Sequence, residues 1–464
     1  MGLEIEKGRP YKGHVVLVPY PRQGHINPML QFSKRLASKG LRATLAITKF
    51  VSSTSINRHP SASIHLDTIS DGRDEGRQAE SIKSYLSQLE SSGSETLSNL
   101  ILKYKETDHP VDCIVYDSFL PWALNVARKF GLLGAVFFSQ SCTVDYIYCL
   151  VHHGILKLPI PTLLVSIPGL PSLELRDMPS FIYVAGSDPE YFEMMLHQFL
   201  NVDKADWVLI NTFYKLEAEV VDTMSKVYPL MTVGPTIPSI YLDKRVENDS
   251  NYGLDLFDLD SSNITSWLET HSPRSVVFVS FGSMATLSTE QTEELAWGLH
   301  DSGHPFLWVV RASENSKISE KFKLAITAER ALLVQWSHQL EVLSSDRIGC
   351  FFSHCGWNST IEALSMGIPM VAMPQWTDQP TDAKLVEDVW VVGVRVRVGE
   401  DGIVKREEIE HCVREVMESE RGKVMAVNAT KWKDLAVEAV SEEGTSDNNI
   451  NDFVSKILLK RKSI

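Results

Sequence analysis

The stretch Ile348-Gly349-Cys350-Phe351-Phe352-Ser353-His354-Cys355-Gly356-Trp357-Asn358-Ser359-Thr360-Ile361-Glu362 decides the fold. Ile348 to Ser353 is a short apolar, aromatic run that fits a buried strand, and it stops at His354-Cys355-Gly356 before a helical pattern begins. A strand therefore hands over to a helix start. Asn358 or Ser359 is expected to cap that helix, Glu362 to lie in its first turn, and Gly367 followed by Pro369 to stop it. Unpaired backbone N–H groups and the positive end of the helix dipole then face whatever sits above the strand's carboxyl edge. A diphosphate is a natural guest there. Upstream, Trp336-Ser337-His338-Gln339 offers a flat aromatic face, and downstream Pro374-Gln375-Trp376-Thr377-Asp378-Gln379 offers hydrogen-bonding groups of the size a hexose needs.

Outward from this stretch, apolar strands alternate with helical patterns. Val15–Pro19, Ala43–Thr48, Cys113–Tyr116, Ala135–Phe138 and Trp207–Asn211 form a first set. Ser275–Ser280, Phe306–Val310, Ala331–Val334, Gly349–Ser353, Met370–Met373 and Val391–Val396 form a second. Such alternation predicts βαβ units, parallel sheets and an α/β class with two Rossmann-like domains. The segment Pro235–Ser262, rich in Pro, Asn, Asp and Ser and without periodicity, reads as an interdomain linker between residues 1–234 and 263–447.

The chain has 464 residues, 22% charged and 44% hydrophobic, which is ordinary for a globular protein with two full cores. Its 45 Lys and Arg against 59 Asp and Glu leave a formal charge of -14, which argues against a nucleic-acid binder that neutralises phosphates. The six cysteines are scattered without a framework, so reduced buried thiols are expected. The apolar run His14–Tyr20 is too short for a signal peptide, and no stretch reaches the roughly 18 apolar residues of a membrane span. A cytoplasmic monomer is expected, with sequons such as Asn263-Ile264-Thr265 unused; one further sequon, at Asn358, lies in the predicted phosphate turn.

A second constellation follows the first strand. In Pro21-Arg22-Gln23-Gly24-His25-Ile26-Asn27-Pro28, Asn27 reads as an N-cap and Pro28 as the first helical residue. His25 then lies at a strand's carboxyl end beside a positive helix terminus, which favours the neutral imidazole a general base requires. Tyr116-Asp117-Ser118 ends another predicted strand on the same edge, so the Asp117 carboxylate can hold one imidazole nitrogen, as the acid does in a hydrolase triad. Each residue also has a plain reading: His25 as turn packing, Asp117 as a helix-entry cap, Trp336 as core.

Taken together, at these spacings, the motifs resemble the nucleotide-sugar box and the His/Asp pair of plant family 1 UDP-glycosyltransferases. The likeness extends over nearly the full length, to the subgroup that glucosylates salicylate-type phenolics, triterpenoids and steroids. It implies the GT-B fold, two Rossmann-like domains facing across a cleft, with the last helix, within 448–464, returning to the first domain. It implies that Trp336 stacks on uracil, that the Ser337 backbone binds the base, and that Gln339 and Glu362 hold the ribose. His354, Asn358 and Ser359, with Gly356 in the turn and Ser283 from a neighbouring loop, would bind the diphosphate; Trp357, Asp378 and Gln379 would contact the sugar. One departure is visible: His338 stands where the family often has proline.

The implied reaction is inverting. His25 takes a proton from an acceptor hydroxyl, the oxygen attacks the anomeric carbon of UDP-glucose, and UDP leaves, giving a β-glucoside. UDP-glucose would be a co-substrate, with no cofactor and no metal; the acidic Asp258-Leu259-Asp260 reads as an exposed turn. Phe119, Leu120, Tyr146, Tyr183, Met194, Met195 and Trp376 are candidates for an acceptor pocket suited to a hydrophobic aglycone, a steroid or triterpenoid before a phenolic. Three enzyme or site alternatives fare worse. A Cys355/His354 thiol hydrolase puts its partners on one turn, His152-His153 lacks zinc spacing, and no G-x-G-x-x-G follows the first strand. A catalytically silent hormone or nucleotide-sugar binder of the same fold is the remaining rival.

Overall fold

The computed structural model describes residues 11–54, 63–76, 81–184, 186–247, 249, 252–253 and 261–462. In chain order the strands are β1 (His14–Val18), β2 (Arg42–Thr48), β3 (His65–Ile69), β4 (Cys113–Asp117), β5 (Leu133–Phe138), β6 (Leu164–Val165), β7 (Leu173–Glu174), β8 (Trp207–Ile210) and β9 (Leu230–Thr232). They continue with β10 (Val276–Ser280), β11 (Phe306–Val309), β12 (Ala331–Val334), β13 (Ile348–Ser353), β14 (Met370–Ala372) and β15 (Gly393–Arg395). A parallel seven-stranded sheet has the order β3-β2-β1-β4-β5-β8-β9, and a parallel six-stranded sheet the order β12-β11-β10-β13-β14-β15. β6 and β7 form a small antiparallel hairpin.

The central strands are continuous apolar runs because helices cover both faces of each sheet. Val16 and Val18 face one core while Val15 and Leu17 face the other, and Val276 and Phe278 are likewise divided from Val277 and Val279. The order reverses between β1 and β4 in the first sheet and between β10 and β13 in the second. In open α/β sheets a crevice opens outside the strand carboxyl ends at such a switch point. His25 follows β1 and Asp117 ends β4; Ser283 follows β10 and His354 follows β13.

Two predicted boundaries move. The helix Gln23–Ser38 begins at Gln23, not at Pro28, because extended Arg22 (φ -130°, ψ 147°) marks its start and the N–H groups of His25 and Ile26 already bond the Arg22 carbonyl. Asn27 is therefore no cap, and Pro28 lies inside the helix. The helix Trp357–Met366 has Gly356 at its N-cap, so neither Asn358 nor Ser359 caps it and Glu362 falls in its second turn. The Trp357 N–H is met instead by Asp378 Oδ2 at 3.2 Å. Gly367 ends this helix in the left-handed region (φ 73°), where a side chain would be strained.

The C-terminal helix Thr445–Lys462 places Ile450, Phe453, Val454 and Ile457 in a core of the first sheet, with the Phe453 ring 4.9 Å from Trp207. Residues following β9 are tied down as well: Asp243 takes both guanidinium nitrogens of Arg35, at 2.6 and 2.9 Å. Asp258-Leu259-Asp260 lies outside the described residues. All six cysteines are free and buried, and no helix among the described residues is long and apolar enough to cross a membrane.

Candidate active site

On the first-sheet side, the His25 ring is held by Asp117, whose Oδ2 lies 2.8 Å from Nδ1. Asp117 is fully buried at the end of β4, and its Oδ1 accepts the Phe119 N–H at 3.0 Å. The carboxylate thus closes the following turn and lies within hydrogen-bonding distance of the imidazole, but it does not cap the next helix, Trp122–Lys129, which starts at Pro121 without a side-chain cap. With Nδ1–H given to Asp117, the Nε2 lone pair is left to act on a ligand. The Ser139 hydroxyl lies 3.1 Å from the same Nδ1, and the rings of Phe119 and Tyr20 wall the imidazole at 4.9 and 5.3 Å. Ser139 carries no local sequence signal, since it reaches His25 from the end of β5, whereas Tyr20 stands in the same connection after β1.

The opposite wall is built around the helix Trp357–Met366. His354 sits before it, its pKa lowered to about 4 chiefly by burial and further by the Arg311 guanidinium, with the Ser280 backbone opposing. The imidazole is therefore neutral at pH 7, so it could meet a ligand only as a hydrogen-bonding group, not as a cation. Gly282 lies against it: the residue has φ 67°, and a Cβ there would come 2.9 Å from the His354 ring. Arg311, which sequence reasoning missed, donates to the carbonyls of Ser283 and Ala285 and so shapes this loop.

Gln339 donates through Nε2 to Ser359 Oγ at 2.9 Å and to Glu362 Oε2 at 2.7 Å. Glu362 is 2% exposed, and burial raises its carboxyl to about 7 against the lowering effect of hydrogen bonds from Tyr252 and Gln339. Trp336 is half-buried beyond β12 and Ser337 is buried beside it, with His338 at the start of the short helix Gln339–Leu343. Asp378 and Gln379 are buried, and Gln379 Oε1 accepts the N–H groups of Gln375 and Trp376, leaving its amide hydrogens for a ligand. The indole of Trp357 is 3% exposed and donates to the Asn211 carbonyl at 2.7 Å.

The two walls touch. Pro28 has no N–H to give the Gly24 carbonyl four residues back, and Asn358 Nδ2 supplies that bond from the other half at 2.7 Å. This joins the turn that carries His25 to the helix start predicted to hold a diphosphate. Further along, Thr377 and Ser180 exchange two bonds, and Arg395 pairs with Asp177 at 2.8 Å.

The acceptor candidates divide. Phe119 and Met194 line a cavity of about 280 Å³ with His197 and Asn201. Trp376 stands edge-on to Tyr191 and Phe181 at 5.4 and 6.0 Å, Tyr146 is half-buried and Tyr183 is exposed. Leu120 has no exposed surface and packs in the core, where Met195 also lies, 4% exposed. Cys355 is fully buried, and burial pushes its thiol well up, which removes the thiol-hydrolase alternative.

The chain as a whole is similar to known proteins. Residues 258–440 match the family model described as UDP-glucoronosyl and UDP-glucosyl transferase, and residues 12–65 match the glycosyltransferase N-terminal domain. The flavonol 7-O-beta-glucosyltransferase UGT74F1 of Arabidopsis thaliana is 52% identical over 97% of this chain and 99% of its own length. The chain is a plant family 1 UDP-glycosyltransferase. This UDP-glycosyltransferase is also 43% identical to the mogroside I-E synthase of Siraitia grosvenorii, over 98% of this chain and 99% of that one. Its fold is that of Os79 from O. sativa, solved in complex with UDP, with a TM-score of 0.89 and 41% identity over 96% of this chain and 100% of that one. The GT-B architecture and the UDP-glycosyltransferase class follow from these likenesses.

Proposed function

We propose that this UDP-glycosyltransferase inverts UDP-glucose onto a hydroxyl of a hydrophobic small molecule, with His25 as general base and Asp117 as the residue that orients it. The observation that carries the reading is the bond from Asn358 to the Gly24 carbonyl, since it puts the imidazole turn against the donor helix. The acceptor O–H gives its proton to His25 Nε2 as oxygen attacks the anomeric carbon, and the bond to the diphosphate breaks on the far side. Charge arriving on the leaving UDP meets the helix N–H groups at Asn358 and Ser359 and the neutral ring of His354. On this reading these groups take the diphosphate charge without a divalent ion, so EDTA is expected to leave turnover unchanged; loss of activity restored by added metal refutes this part.

Uracil is assigned to Trp336 and the Ser337 backbone, ribose to Gln339 and Glu362, and the hexose to Asp378 and Gln379. The free amide hydrogens of Gln379 suit glucose hydroxyls. No arginine stands at the sugar end of the box to meet a glucuronate, so faster transfer from UDP-glucuronate or UDP-galactose refutes the donor choice. For the acceptor, a steroid or triterpenoid hydroxyl is preferred and a phenolic comes next; the mogroside synthase among the relatives favours the first and the flavonol enzyme the second. Mass spectrometry of products from a mixed panel of steroids, triterpenoids and phenolics decides between them. We further propose that residues 1–234 bind the acceptor and 263–447 the donor, and that the enzyme works as a cytoplasmic monomer.

A further inference from the structure

Asp378 stands at the start of the helix Gln379–Lys384, and Asp382 lies one turn into it, its N–H on the Asp378 carbonyl at 3.1 Å. Both side chains are buried, and their carboxyl groups come within hydrogen-bonding reach of each other. Neither has a cation at ion-pair distance among the described residues, for Lys384 of the same helix and Arg395 of β15 are drawn to Asp177, at 3.5 and 2.8 Å. The other titratable groups around the pair are acidic too: Glu217, Asp145 and Tyr148 of the helix Cys142–His152, and the Cys355 thiol. Two carboxylates so placed repel too strongly for both to be ionised, so the pair holds one proton. The surrounding bonds decide which residue carries it. Ser141, the N-cap of the helix Cys142–His152, accepts the Val144 N–H at 3.3 Å and turns its own O–H to Asp382 Oδ1 at 2.9 Å. Asp378 Oδ2 accepts the Trp357 N–H at 3.2 Å, a bond that favours its ionised form. Asp382 Oδ2, by contrast, has no N–H or hydroxyl donor among the described residues. Burial above all, then the Asp378 charge, pushes Asp382 well above the carboxylate range, with the Ser141 bond opposing.

We propose that Asp382 carries this proton and is a positioning residue for the sugar donor: its Oδ2–H donates to the Asp378 carboxylate and fixes it toward the hexose, while Ser141 holds Oδ1 from the first half. The proposal rests on the assignment of Asp378 to the hexose made above. Asp382 touches no reacting atom; it acts through Asp378. A neutral acid in this place offers one donor and one acceptor, as a carboxamide would, so Asp382→Asn keeps both bonds and loses only the titratable proton. A leucine keeps the volume and removes both.

The test is calorimetric titration of the full-length wild type, Asp382→Asn, Asp382→Leu and Asp378→Ala with UDP-glucose and with UDP, which lacks the hexose. Asp382→Leu is expected to bind UDP-glucose roughly ten- to a hundredfold more weakly, the size of one hydrogen bond to a charged group, and UDP within about twofold of wild type. Asp382→Asn should match wild type with both ligands. Infrared difference spectra of wild type against Asp382→Asn at neutral pH should show the carbonyl stretch of a neutral carboxylic acid, lost in the variant. If that band is missing, Asp382 is ionised and the proposal falls, even where the leucine variant does not fold. Equal weakening of UDP and UDP-glucose in Asp382→Leu overturns it as well, since the residue would then support the fold and not the hexose site. So does a loss in Asp382→Asn as large as in Asp382→Leu. If Asp378→Ala keeps the wild-type ratio of UDP-glucose to UDP affinity, the hexose assignment itself fails and the positioning with it. If that ratio falls in Asp378→Ala but not in Asp382→Leu, the positioning alone fails.

Discussion

At His25 one nitrogen is committed to Asp117 and the other has no partner among the described residues, and the proposed base role rests on that asymmetry. Asp117→Asn keeps the size of the side chain but can offer Nδ1 an N–H instead of an acceptor, turning the imidazole to the wrong tautomer. We expect turnover to fall roughly 10²–10⁴-fold, the usual worth of a general base, while UDP affinity stays within twofold or so of wild type. Rapid-quench turnover beside UDP titration checks this; a matching loss in both would mean that Asp117 supports the fold more than the base. His25→Ala should likewise abolish most O-glucosylation, and a fully active alanine variant would remove His25 from the mechanism. The neutral state of His354 makes a different demand: His354→Gln, which keeps a hydrogen-bond donor, should bind UDP closer to wild type than His354→Leu, with the order read by calorimetry.

The loops at the strand ends depend on positions where side chains are excluded. Gly282→Ala sets a Cβ in the left-handed region and 2.9 Å from His354, so about 1–2 kcal/mol of strain must be relieved by moving the ring or the loop. Weaker UDP binding with little change in melting temperature is expected, because the strain falls on the site and not on a core. Element by element, the interior strands were legible in the sequence because parallel strands covered on both faces are unbroken apolar runs, as in Val276–Ser280 and Ile348–Ser353. β3, with His65, Asp67 and Thr68, and the three-residue β9 escaped notice, because edge strands are short and polar. The start of the Trp357–Met366 helix differs from the expected one for a non-local reason: the Trp357 N–H is met by Asp378, well downstream, where local patterns cannot see it. The acceptor side was least legible. Periodicity puts Phe119 and Leu120 in one apolar turn but does not say that the first faces a cavity and the second the core.

For the molecule as a whole, stability should fall with acid through buried histidines. His14, in β1, is held neutral: Nδ1 bonds the His109 carbonyl at 2.8 Å and Nε2 the Thr44 hydroxyl at 2.9 Å. Burial above all, then Arg42, lowers it from 6.5 to about 4, although the His109 bond opposes this. The folded state thus takes up fewer protons than the unfolded chain between these values, so the stabilisation is intact above about 6.5 and is lost as pH falls toward 4. About 2 kcal/mol should disappear between pH 7.5 and 5 on this account, and His14→Gln should flatten that slope in denaturant titrations. An unchanged slope would exclude His14 as the cause. The bond that joins the two halves has a practical consequence of its own. Asn358-Ser359-Thr360 is an acceptor triplet for oligosaccharyltransferase, which acts on nascent chains before they fold, and the atom it would modify is the amide nitrogen that reaches Gly24. Yeast or insect lines that route the polypeptide through the endoplasmic reticulum would wedge a branched glycan between the halves, so production belongs in a host that keeps it out of the secretory route.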